Sequence, residues 1–411
     1  MEKTYEERIL AQKDQYKDTV DIHALPEIFH IWSHDYVGPG LRQVFEVNSV
    51  TQFYVEAFLA ASSAGKGRRN FLSLGCGDGT VEIEIARALH ERGLHEFQFV
   101  CLDLSEDLLN RFTQSIPVDL QQNFSLAAGD LNNHVMKMRF DAIMANHSLH
   151  HMVELEAIFQ SVYENLQDEG IFVTSDMIGR NGHMRWPEAK LFVDYFWPFL
   201  SPLQRENIPL RRLEMSFLDH DCSTEGFEGI RAQEVLPLIL KQGFHAQKFF
   251  GFGGIIDVFI DRSFGHNFSV NDPSDVFLIS RIGVLNEILL DCGLIKPTMM
   301  FAYFVKHQTA ERCYRTRSSR MAIREFDTNP AWLQDALADM AKRPTPPEFA
   351  FTRADFTDVA DFVKPNEALN EALMKAKTTI IKQNARIEAL QNSTSWRLTA
   401  PIRAFRSWFA K

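Results

Sequence analysis

The chain has 411 residues, which is long enough for one large domain with additions or for two domains. Hydrophobic residues make up 45% and charged residues 24%, as is usual for a globular protein, and the formal net charge is -11. Binding to a phosphate backbone irrespective of sequence requires clustered Lys and Arg, so this acidic composition predicts no nucleic-acid partner.

The cysteines and the N-terminus bear on the compartment. The chain has five cysteines, Cys76, Cys101, Cys222, Cys292 and Cys313, with no Cys-x-x-Cys pair. An odd, scattered set predicts reduced thiols in a cytoplasmic protein rather than a disulfide framework or a thiolate zinc site. The first 18 residues are charged and have no apolar run, which is not typical of a secretory signal. We assign no metal ligands from the sequence.

Residues 1–67 are predicted to form a helical N-terminal cap. Ile22–Trp32 has apolar residues at mixed spacing, and Val50–Ala60 has the composition of a second helix. Between them, Ser33–Gly40 is polar and contains two glycines and a proline, which predicts a turn.

From Asn70 the pattern changes to alternating strands and helices. The predicted strands are Phe71–Leu74, Phe97–Leu102, Phe124–Ala127, Phe140–Ala145 and Ile171–Ser175. The predicted helices between them are Thr80–Leu89, Glu106–Ser115 and Leu155–Leu166. This alternation predicts an α/β domain, over 68–307, with a parallel sheet covered by helices on both faces.

The alternation of strands and helices ends after Asp176. Two irregular insertions, 177–230 and 251–296, flank a helix at Ala232–Gln242 and a strand at Phe244–Phe250, and a last strand follows at Met299–Val305. Because loops of this length usually carry function, we expect the insertions to form the acceptor pocket. Residues 308–365 are a mixed extension.

The strongest motif is a strand that runs into Gly75-x-Gly77-x-Gly79 and then into a helix. Glycines permit a tight turn close to a ligand, and the N–H groups at the start of the helix favour a polar or anionic group. Dinucleotide-binding turns usually have the spacing Gly-x-Gly-x-x-Gly, whereas here the third glycine comes one residue earlier, after Asp78.

Polar residues follow the next three strands. Asp103 ends the second strand and suits the two ribose hydroxyls of a nucleoside. The third strand leads to Asp130, which suits an adenine amino group, and to Leu131, which suits the adenine ring. Asn146 ends the fourth strand. Ligands of open α/β sheets bind at the carboxyl ends of the strands, where all these residues are expected.

Residues 70–176 and the later strands resemble the class I S-adenosylmethionine (SAM)-dependent methyltransferases. The resemblance implies a Rossmann-like seven-stranded sheet in which Phe244–Phe250 and Met299–Val305 are the final antiparallel pair. It implies that the glycine loop, with Asp78, holds the methionine end of SAM, that Asp103 holds the ribose and that Asp130 holds the adenine. The family often has an acidic residue two places before the first glycine, whereas this chain has Ser73.

The resemblance also implies that N-terminal helices close over the bound SAM. His34 and Tyr36 lie in the predicted N-terminal turn, where they belong either to such a lid or to a simple connecting loop.

Candidates for catalysis follow the fourth strand. Methyl transfer requires donor and acceptor in line, and a hydroxyl acceptor must also lose its proton. His147, His150 and His151 follow this strand, and the pKa of histidine suits a general base near neutral pH. The alternative is a helix-start cluster or ordinary packing.

The insertions hold further candidates. The segment 176–187 contains Arg, Asn, Trp and His183, which suit a sugar ring or else a capped surface loop. In Asp219-His220-Asp221, two carboxylates flank a histidine and either orient a base, bind a cation or form a solvated turn. Residues 257–267 are interpreted as a second wall of the acceptor pocket.

The tail, 366–411, is predicted to be helical. Leu373, Ile380 and Ile387 are spaced by seven, as in a short coiled coil that would give a homo-oligomer, or in a helix docked on its own domain. Residues 392–411 contain four cationic and no acidic residues, together with aromatic ones. Such an end favours contact with a membrane surface or a partner protein, or docking on the protein itself.

A second, less specific resemblance concerns the substrate. Residues 393–403 are similar to the ends of bacterial surface-polysaccharide glycosyltransferases, and 176–187 and 219–231 look like methyltransferases of bacterial glycan assembly. The resemblance implies O-methylation of a sugar or glycan acceptor in the cytoplasm, peripheral to the inner membrane face, with a glycosyltransferase contact through the tail. The alternatives are a methyltransferase for a diffusible small molecule and a non-catalytic SAM-binding scaffold.

Overall fold

The computed structural model describes residues 5, 7–8, 25–63, 67–132, 138–224, 226–325 and 329–342. The chain divides into two units, residues 1–349 and residues 350–411. The predicted heptads of the tail and its basic, aromatic end lie outside the described residues.

A large mixed sheet organises the first unit. In chain order the strands are β1 (Arg69–Leu74), β2 (Phe97–Asp103), β3 (Phe124–Ala128), β4 (Phe140–Asn146), β5 (Leu166–Met177), β6 (Glu206–Asn207), β7 (Arg212–Leu213), β8 (His245–Phe252), β9 (Met299–Val305) and β10 (Arg312–Cys313). Eight of them form one sheet in the order β10-β8-β9-β5-β4-β1-β2-β3, and β6 and β7 form a separate pair.

The topology confirms the predicted fold. β1 to β5 pair in parallel, and β9 runs antiparallel to both β5 and β8. These seven strands are the predicted ones, and the two-residue β10 extends the sheet at its edge, parallel to β8. The carboxyl ends of β1 to β5 therefore meet at one edge of the sheet.

Helices cover both faces of the sheet. They are α1 (Glu27–Trp32), α2 (Val50–Ser62), α3 (Thr80–Glu91), α4 (Glu106–Ser115), α5 (Leu155–Asn165), α6 (Pro187–Phe196), α7 (Ala232–Lys241), α8 (Asp257–Ile260), α9 (Pro273–Asp291), α10 (Ser319–Ala322) and α11 (Ala331–Lys342). Successive residues of a strand point to opposite faces, so Phe71 packs with Phe58 in one core cluster, while Leu72 packs in the other.

The predicted turn at Ser33–Gly40 is wrong, because the chain remains helical from Glu27 to Phe45 through two wide π-helical segments, Ser33–Val37 and Leu41–Phe45. Pro39 lies inside this continuous helix, between the two π-helical segments, at a position where it has no N–H to donate. Burial of apolar residues such as Trp32 and Val44 in the core supplies the driving force that the local composition does not show.

The insertions contain two long helices, α6 and α9, and the short α8, which the sequence interpretation missed. Both α6 and α9 begin with a proline, Pro187 and Pro273, which the interpretation treated as part of irregular chain. Proline suits the first helical position because its fixed φ matches the helix. The Asp272 side chain also accepts a hydrogen bond from the Ser274 N–H and caps α9. Among the described residues, no helix is long and apolar enough to cross a bilayer.

Candidate active site

The glycine loop is fixed to the neighbouring strand. The N–H groups of Gly75 and Cys76 donate to the carbonyl of Leu102 at 2.8 and 3.1 Å. Asp78 accepts from the N–H and the hydroxyl of Thr80 at 3.1 and 2.9 Å, so it caps the start of α3. Gly77 has a φ of 57°, and a Cβ placed there would have no atom within 4 Å, so the loop borders open space that can receive a ligand.

Asp103 lies at the end of β2, facing this loop. One carboxylate oxygen accepts from the Gly77 N–H and the other from the Ser105 N–H, both at 2.8 Å. Burial raises the pKa of Asp103. The loop and the carboxylate thus form a single unit of the kind that suits a ribose next to a methionine chain.

Asp130 is held by the N-terminal segment. The hydroxyl of Tyr5 donates to Asp130 at 2.6 Å, and the Asn132 amide donates to the other carboxylate oxygen at 2.9 Å. Leu131 is half-buried and packs against the core. Arg8 donates to the carbonyls of Ser223 and Gly226 at 2.7 Å. Residues 5 and 8 therefore link the predicted adenine site to the first insertion.

The N-terminal residue that contacts the predicted adenine site is Tyr5, and not His34 or Tyr36, the two residues considered for a lid. His34 is exposed and pairs with Asp35, and Tyr36 donates to the Ser280 carbonyl at 3.3 Å on α9. Tyr5 lies too far from the glycine motif in the sequence for any local pattern to show the contact.

A buried carboxylate lies beneath Ser73, the position at which the related family often has an acid. The Ser73 hydroxyl donates to Glu82 of α3 at 2.7 Å, and both side chains are buried. Burial raises the pKa of Glu82 to about 7. Glu82 of the following helix thus places a carboxyl group beside Ser73, a contact that the motif alone does not reveal.

The end of β4 bears Asn146 and His147. The hydroxyl of buried Tyr54 donates to the Asn146 side chain at 2.9 Å. His147 has a left-handed backbone with a φ of 50°, and its ring lies 3.3 Å from the Ser175 hydroxyl. Non-glycine residues in this conformation are strained, and such strain is concentrated at functional sites.

His150 is paired with Asp176, a residue that follows the predicted fifth strand and was not among the predicted site residues. Nδ1 of His150 lies 2.7 Å from Asp176, and both side chains are buried. Asp176 also accepts from the N–H groups of Ser148 and Leu149 at 3.0 and 2.8 Å. Its place at a strand end is the signal that could have identified it.

Glu228 brings the first insertion to these histidines. One of its oxygens lies 2.7 Å from Nε2 of His183 and 3.4 Å from Nε2 of His150. The other lies 3.7 Å from Nδ1 of His151. No motif in the sequence points to Glu228. We call His150, His151, His183, Asp176 and Glu228 the histidine–carboxylate cluster.

Charged and neutral side chains lie next to one another in this cluster. Burial alone lowers the pKa of His150, but the carboxylates of Asp176 and Glu228 outweigh it and raise this pKa to about 10. Burial opposes ionisation of Glu228, but the hydrogen bonds from His150 and His183 hold its pKa well below the usual range. Burial and the charge of His150 lower the pKa of His151 to about 3, and burial also lowers that of His183. Neutral imidazoles therefore lie beside a charged one.

The remaining predicted residues lie outside this cluster. His220 is exposed. Asp221 accepts from the N–H and hydroxyl of Ser223 at 2.9 and 2.6 Å, so it caps its own turn next to Gly182. Asp219 accepts from the Arg185 N–H at 2.8 Å. Asp219 and Asp221 are thus engaged by other groups rather than by the His220 between them.

Arg185 joins the two insertions. Its buried guanidinium donates to the His183 carbonyl at 2.7 Å, to the Gly254 carbonyl at 3.0 Å and to Asp257 at 3.1 Å. His183 has a φ of 55°, so Arg185 holds a strained residue of the cluster in place.

Trp186 does not offer the flat face expected for a sugar. It is buried, with the guanidinium groups of Arg180 and Arg324 at 5.9 and 4.4 Å from its ring. Arg324 is in turn paired with the buried carboxylate of Glu188 at 2.7 Å. The tryptophan therefore packs within the insertion.

Comparison with known proteins gives a family match for the part of the chain that contains the glycine loop. Residues 72–172 match the family model described as "Methyltransferase domain". No curated protein matches the chain. One similar solved structure is the O-methyltransferase of a trans-AT PKS multienzyme of Brevibacillus brevis, in complex with S-adenosyl-L-homocysteine, at 15% identity. The match covers 81% of this chain and 96% of that one, with a TM-score of 0.40.

A second similar structure is the S-adenosylmethionine-dependent methyltransferase from Mesorhizobium loti, at 17% identity. It covers 60% of this chain and 95% of that one, with a TM-score of 0.31. The matched residues include the glycine loop, Asp103 and Asp130. They also include His147, His150 and His151. The chain is therefore a methyltransferase, and S-adenosylmethionine is its cofactor.

Proposed function

We propose that this methyltransferase methylates a hydroxyl group of a sugar, in a bacterial surface glycan or its lipid-linked precursor. The histidine–carboxylate cluster beside the glycine loop is the observation that supports the proposal. A sugar hydroxyl is a weak nucleophile that must lose its proton during transfer, so it requires a nearby group that accepts the proton.

The cluster adjoins the part of the loop that suits the methionine end of SAM. The Ser148 hydroxyl donates to the Leu74 carbonyl at 2.6 Å, and a Cβ placed on Gly75 would lie 2.6 Å from that of Ser148. The segment from His147 to His151 therefore begins at the glycine loop itself.

SAM supplies a methyl group on a sulfonium, so the new C–O bond forms as the C–S bond breaks and sulfur keeps the electron pair. The chain holds the acceptor in line and removes its proton. His183 is neutral and its Nε2 lies 2.7 Å from Glu228, a carboxylate that stabilises the imidazolium formed on proton uptake.

The polarity of the second insertion supports a polyhydroxyl acceptor. Asp261 is held by the Ser263 N–H at 2.8 Å, and burial raises its pKa to about 6. The neighbouring Arg262 is exposed, and its charge acts on His147. Donors and acceptors at one edge of the site suit the many hydroxyls of a sugar. The resemblance of 393–403 to glycosyltransferase ends adds the setting: a cytoplasmic enzyme whose tail contacts a glycosyltransferase or the inner membrane face, or forms a homo-oligomer.

SAM with a labelled methyl group tests the proposal. Purified protein is incubated with this SAM and a lysate of the source cells, and the label is partitioned among lipid, polysaccharide, protein and small-molecule fractions. We expect label in lipid-linked glycan or polysaccharide that is lost with Asp103→Ala. Label confined to small molecules would contradict the glycan acceptor, and SAM binding with no transfer to any fraction would contradict the enzymatic role.

A further inference from the structure

We infer that His150, His183 and Glu228 bind a divalent first-row transition-metal ion, a site that the sequence did not predict. Its proposed role, to hold the acceptor oxygen, rests on the proposed function, whereas binding of the ion does not. The two imidazole Nε2 atoms and a Glu228 oxygen all lie within 4.8 Å of one another.

The distances suit coordination after a small adjustment. Both Nε2 atoms point to the same Glu228 oxygen, at 2.7 Å from His183 and 3.4 Å from His150. The ligand atoms of a tetrahedral site with bonds of about 2.0–2.1 Å lie roughly 3.3 Å apart. The 3.4 Å distance fits this spacing, whereas the 2.7 Å distance must lengthen by a few tenths of an ångström. The ion takes the place of the protons that lie between this oxygen and the two imidazoles, and these protons are released on binding.

The environment of His150 is that of a metal ligand. Its Nδ1 is held at 2.7 Å by the buried carboxylate of Asp176, which leaves Nε2 directed at the cluster. Such a carboxylate–histidine pair fixes the orientation of a metal-binding imidazole and makes it a stronger ligand. N–H groups of Ser148, Leu149 and Met177 hold Asp176 in turn.

His183 is held by backbone contacts rather than by a carboxylate. Its carbonyl accepts from buried Arg185 at 2.7 Å, and its own φ is 55°. The turn of residues 226–229 covers the ring, since a Cβ placed on Gly229 would lie 3.0 Å from it. Both histidines are thus fixed before a ligand arrives, which reduces the entropic cost of binding.

The type of donor selects the class of ion. Two imidazoles and one carboxylate favour Zn²⁺, Mn²⁺, Fe²⁺ and their neighbours, whereas Mg²⁺ and Ca²⁺ prefer oxygen ligands. Three protein ligands leave positions open, as in catalytic rather than structural sites. Glu228 is the most exposed of the three ligands, so an open position on that side can receive an acceptor hydroxyl. An ion there lowers the pKa of a bound hydroxyl and fixes its oxygen for attack. With the ion bound, His183 is a ligand, and the ion rather than this imidazole promotes loss of the hydroxyl proton.

Zn²⁺ titration of the full-length protein tests the site. The protein is stripped with a chelator, and binding of Zn²⁺, and of Mg²⁺ in comparison, is followed by calorimetry and by competition with a coloured chelator. We expect one Zn²⁺ per chain and much weaker binding of Mg²⁺. Glu228→Gln and His183→Asn should each weaken Zn²⁺ binding more than about 100-fold, since changes to outer partners alone cost about 10- to 100-fold. Asparagine is chosen because it tolerates the backbone of residue 183.

The control is His245→Ala. His245 is exposed at the start of β8, at the sheet edge opposite the site, and its removal should leave Zn²⁺ affinity unchanged. Circular dichroism and binding of S-adenosylhomocysteine show that each variant is folded. Sub-stoichiometric Zn²⁺ binding, or binding that His183→Asn and Glu228→Gln leave unchanged, would overturn the metal site. If the stripped protein binds S-adenosylhomocysteine and methylates its acceptor at the full rate, the metal role fails while the proposed function stands.

Discussion

Nδ1 of His150 lies 2.7 Å from a carboxylate oxygen of Asp176, and the side chain of Asp176 is entirely buried. The pair joins the ends of two neighbouring strands, β4 and β5. The same carboxylate also accepts several backbone N–H groups, so it fixes the turn on which His147 to His151 lie.

Asp176→Asn should lower methyl transfer by about 10- to 100-fold, because the amide loses the charge that orients His150. An Asn also turns an N–H donor towards backbone donors, which costs about 1–3 kcal/mol of stability. Steady-state kinetics at saturating SAM measure the first effect and urea denaturation the second. Asp168→Asn, an exposed position on the same strand, is the control. Unchanged turnover in a folded Asp176→Asn protein would remove this residue from the active site.

Asp103→Ala should weaken binding of S-adenosylhomocysteine by about 10- to 100-fold, since hydrogen bonds to a charged group contribute about 1.5–3 kcal/mol. Calorimetry of the purified protein measures the affinity. Glu106→Ala, an exposed acid in the first turn of the next helix, should have no effect. An unchanged affinity in the Asp103 variant would show that the cofactor site is assigned wrongly.

Tyr5→Phe should weaken S-adenosylhomocysteine binding by about 3- to 10-fold, because the Tyr5 hydroxyl fixes the carboxylate of Asp130 at 2.6 Å. Turnover at saturating SAM should be unchanged, since Tyr5 has no predicted contact with the acceptor. Calorimetry measures the affinity of the Tyr5→Phe protein for S-adenosylhomocysteine, and steady-state kinetics measure its turnover. Tighter binding would mean that Tyr5 competes with the adenine for Asp130.

Arg185→Ala should destabilise the protein by about 3–5 kcal/mol, because it breaks a buried ion pair and leaves the Asp257 carboxylate without its cation. Denaturation in urea measures the loss. Arg92→Ala breaks an exposed pair with Glu56 and should cost less than about 1 kcal/mol. Equal effects of the two changes would show that Arg185 does not hold the insertions together.

The Glu82 carboxyl should contribute a fall in stability as pH rises from about 5 to 8, and Glu82→Gln should remove this contribution. Burial raises the pKa of Glu82 to about 7, so the folded state keeps a proton that the unfolded chain has already lost above its pKa of about 4.3. The stability is thus fully present below the unfolded pKa and is lost as pH rises through the folded one. The nearby carboxylates of Asp103 and Asp78 raise the pKa of Glu82 further.

The difference for Glu82 amounts to about 3 kcal/mol across this range. Urea denaturation at several pH values measures it, with the exposed Glu84→Gln on the same helix as the control. Equal pH dependence in the wild-type and Glu82→Gln proteins would show that Glu82 is ionised throughout.

The α/β sheet, and the strand ends at which the candidate cofactor residues lie, could be predicted from the sequence alone. Each cofactor residue follows a strand with a clear apolar pattern, and parallel strands bring their carboxyl ends to one edge whatever the loops do. The glycine loop, Asp103 and Asp130 could therefore be predicted from short segments, and the structure places them along that edge.

Which groups complete the site depends on contacts between segments that are distant in the sequence. Glu228 reaches His150, Glu82 reaches Ser73 and Tyr5 reaches Asp130 through folding of distant segments. Local periodicity carries no information about such contacts, because they depend on where long insertions return and on which charges burial forces to pair. The helices that begin at Pro187 and Pro273 were also not predicted. A proline is found both where a helix is broken and at the first position of a helix, so its presence alone does not distinguish the two cases.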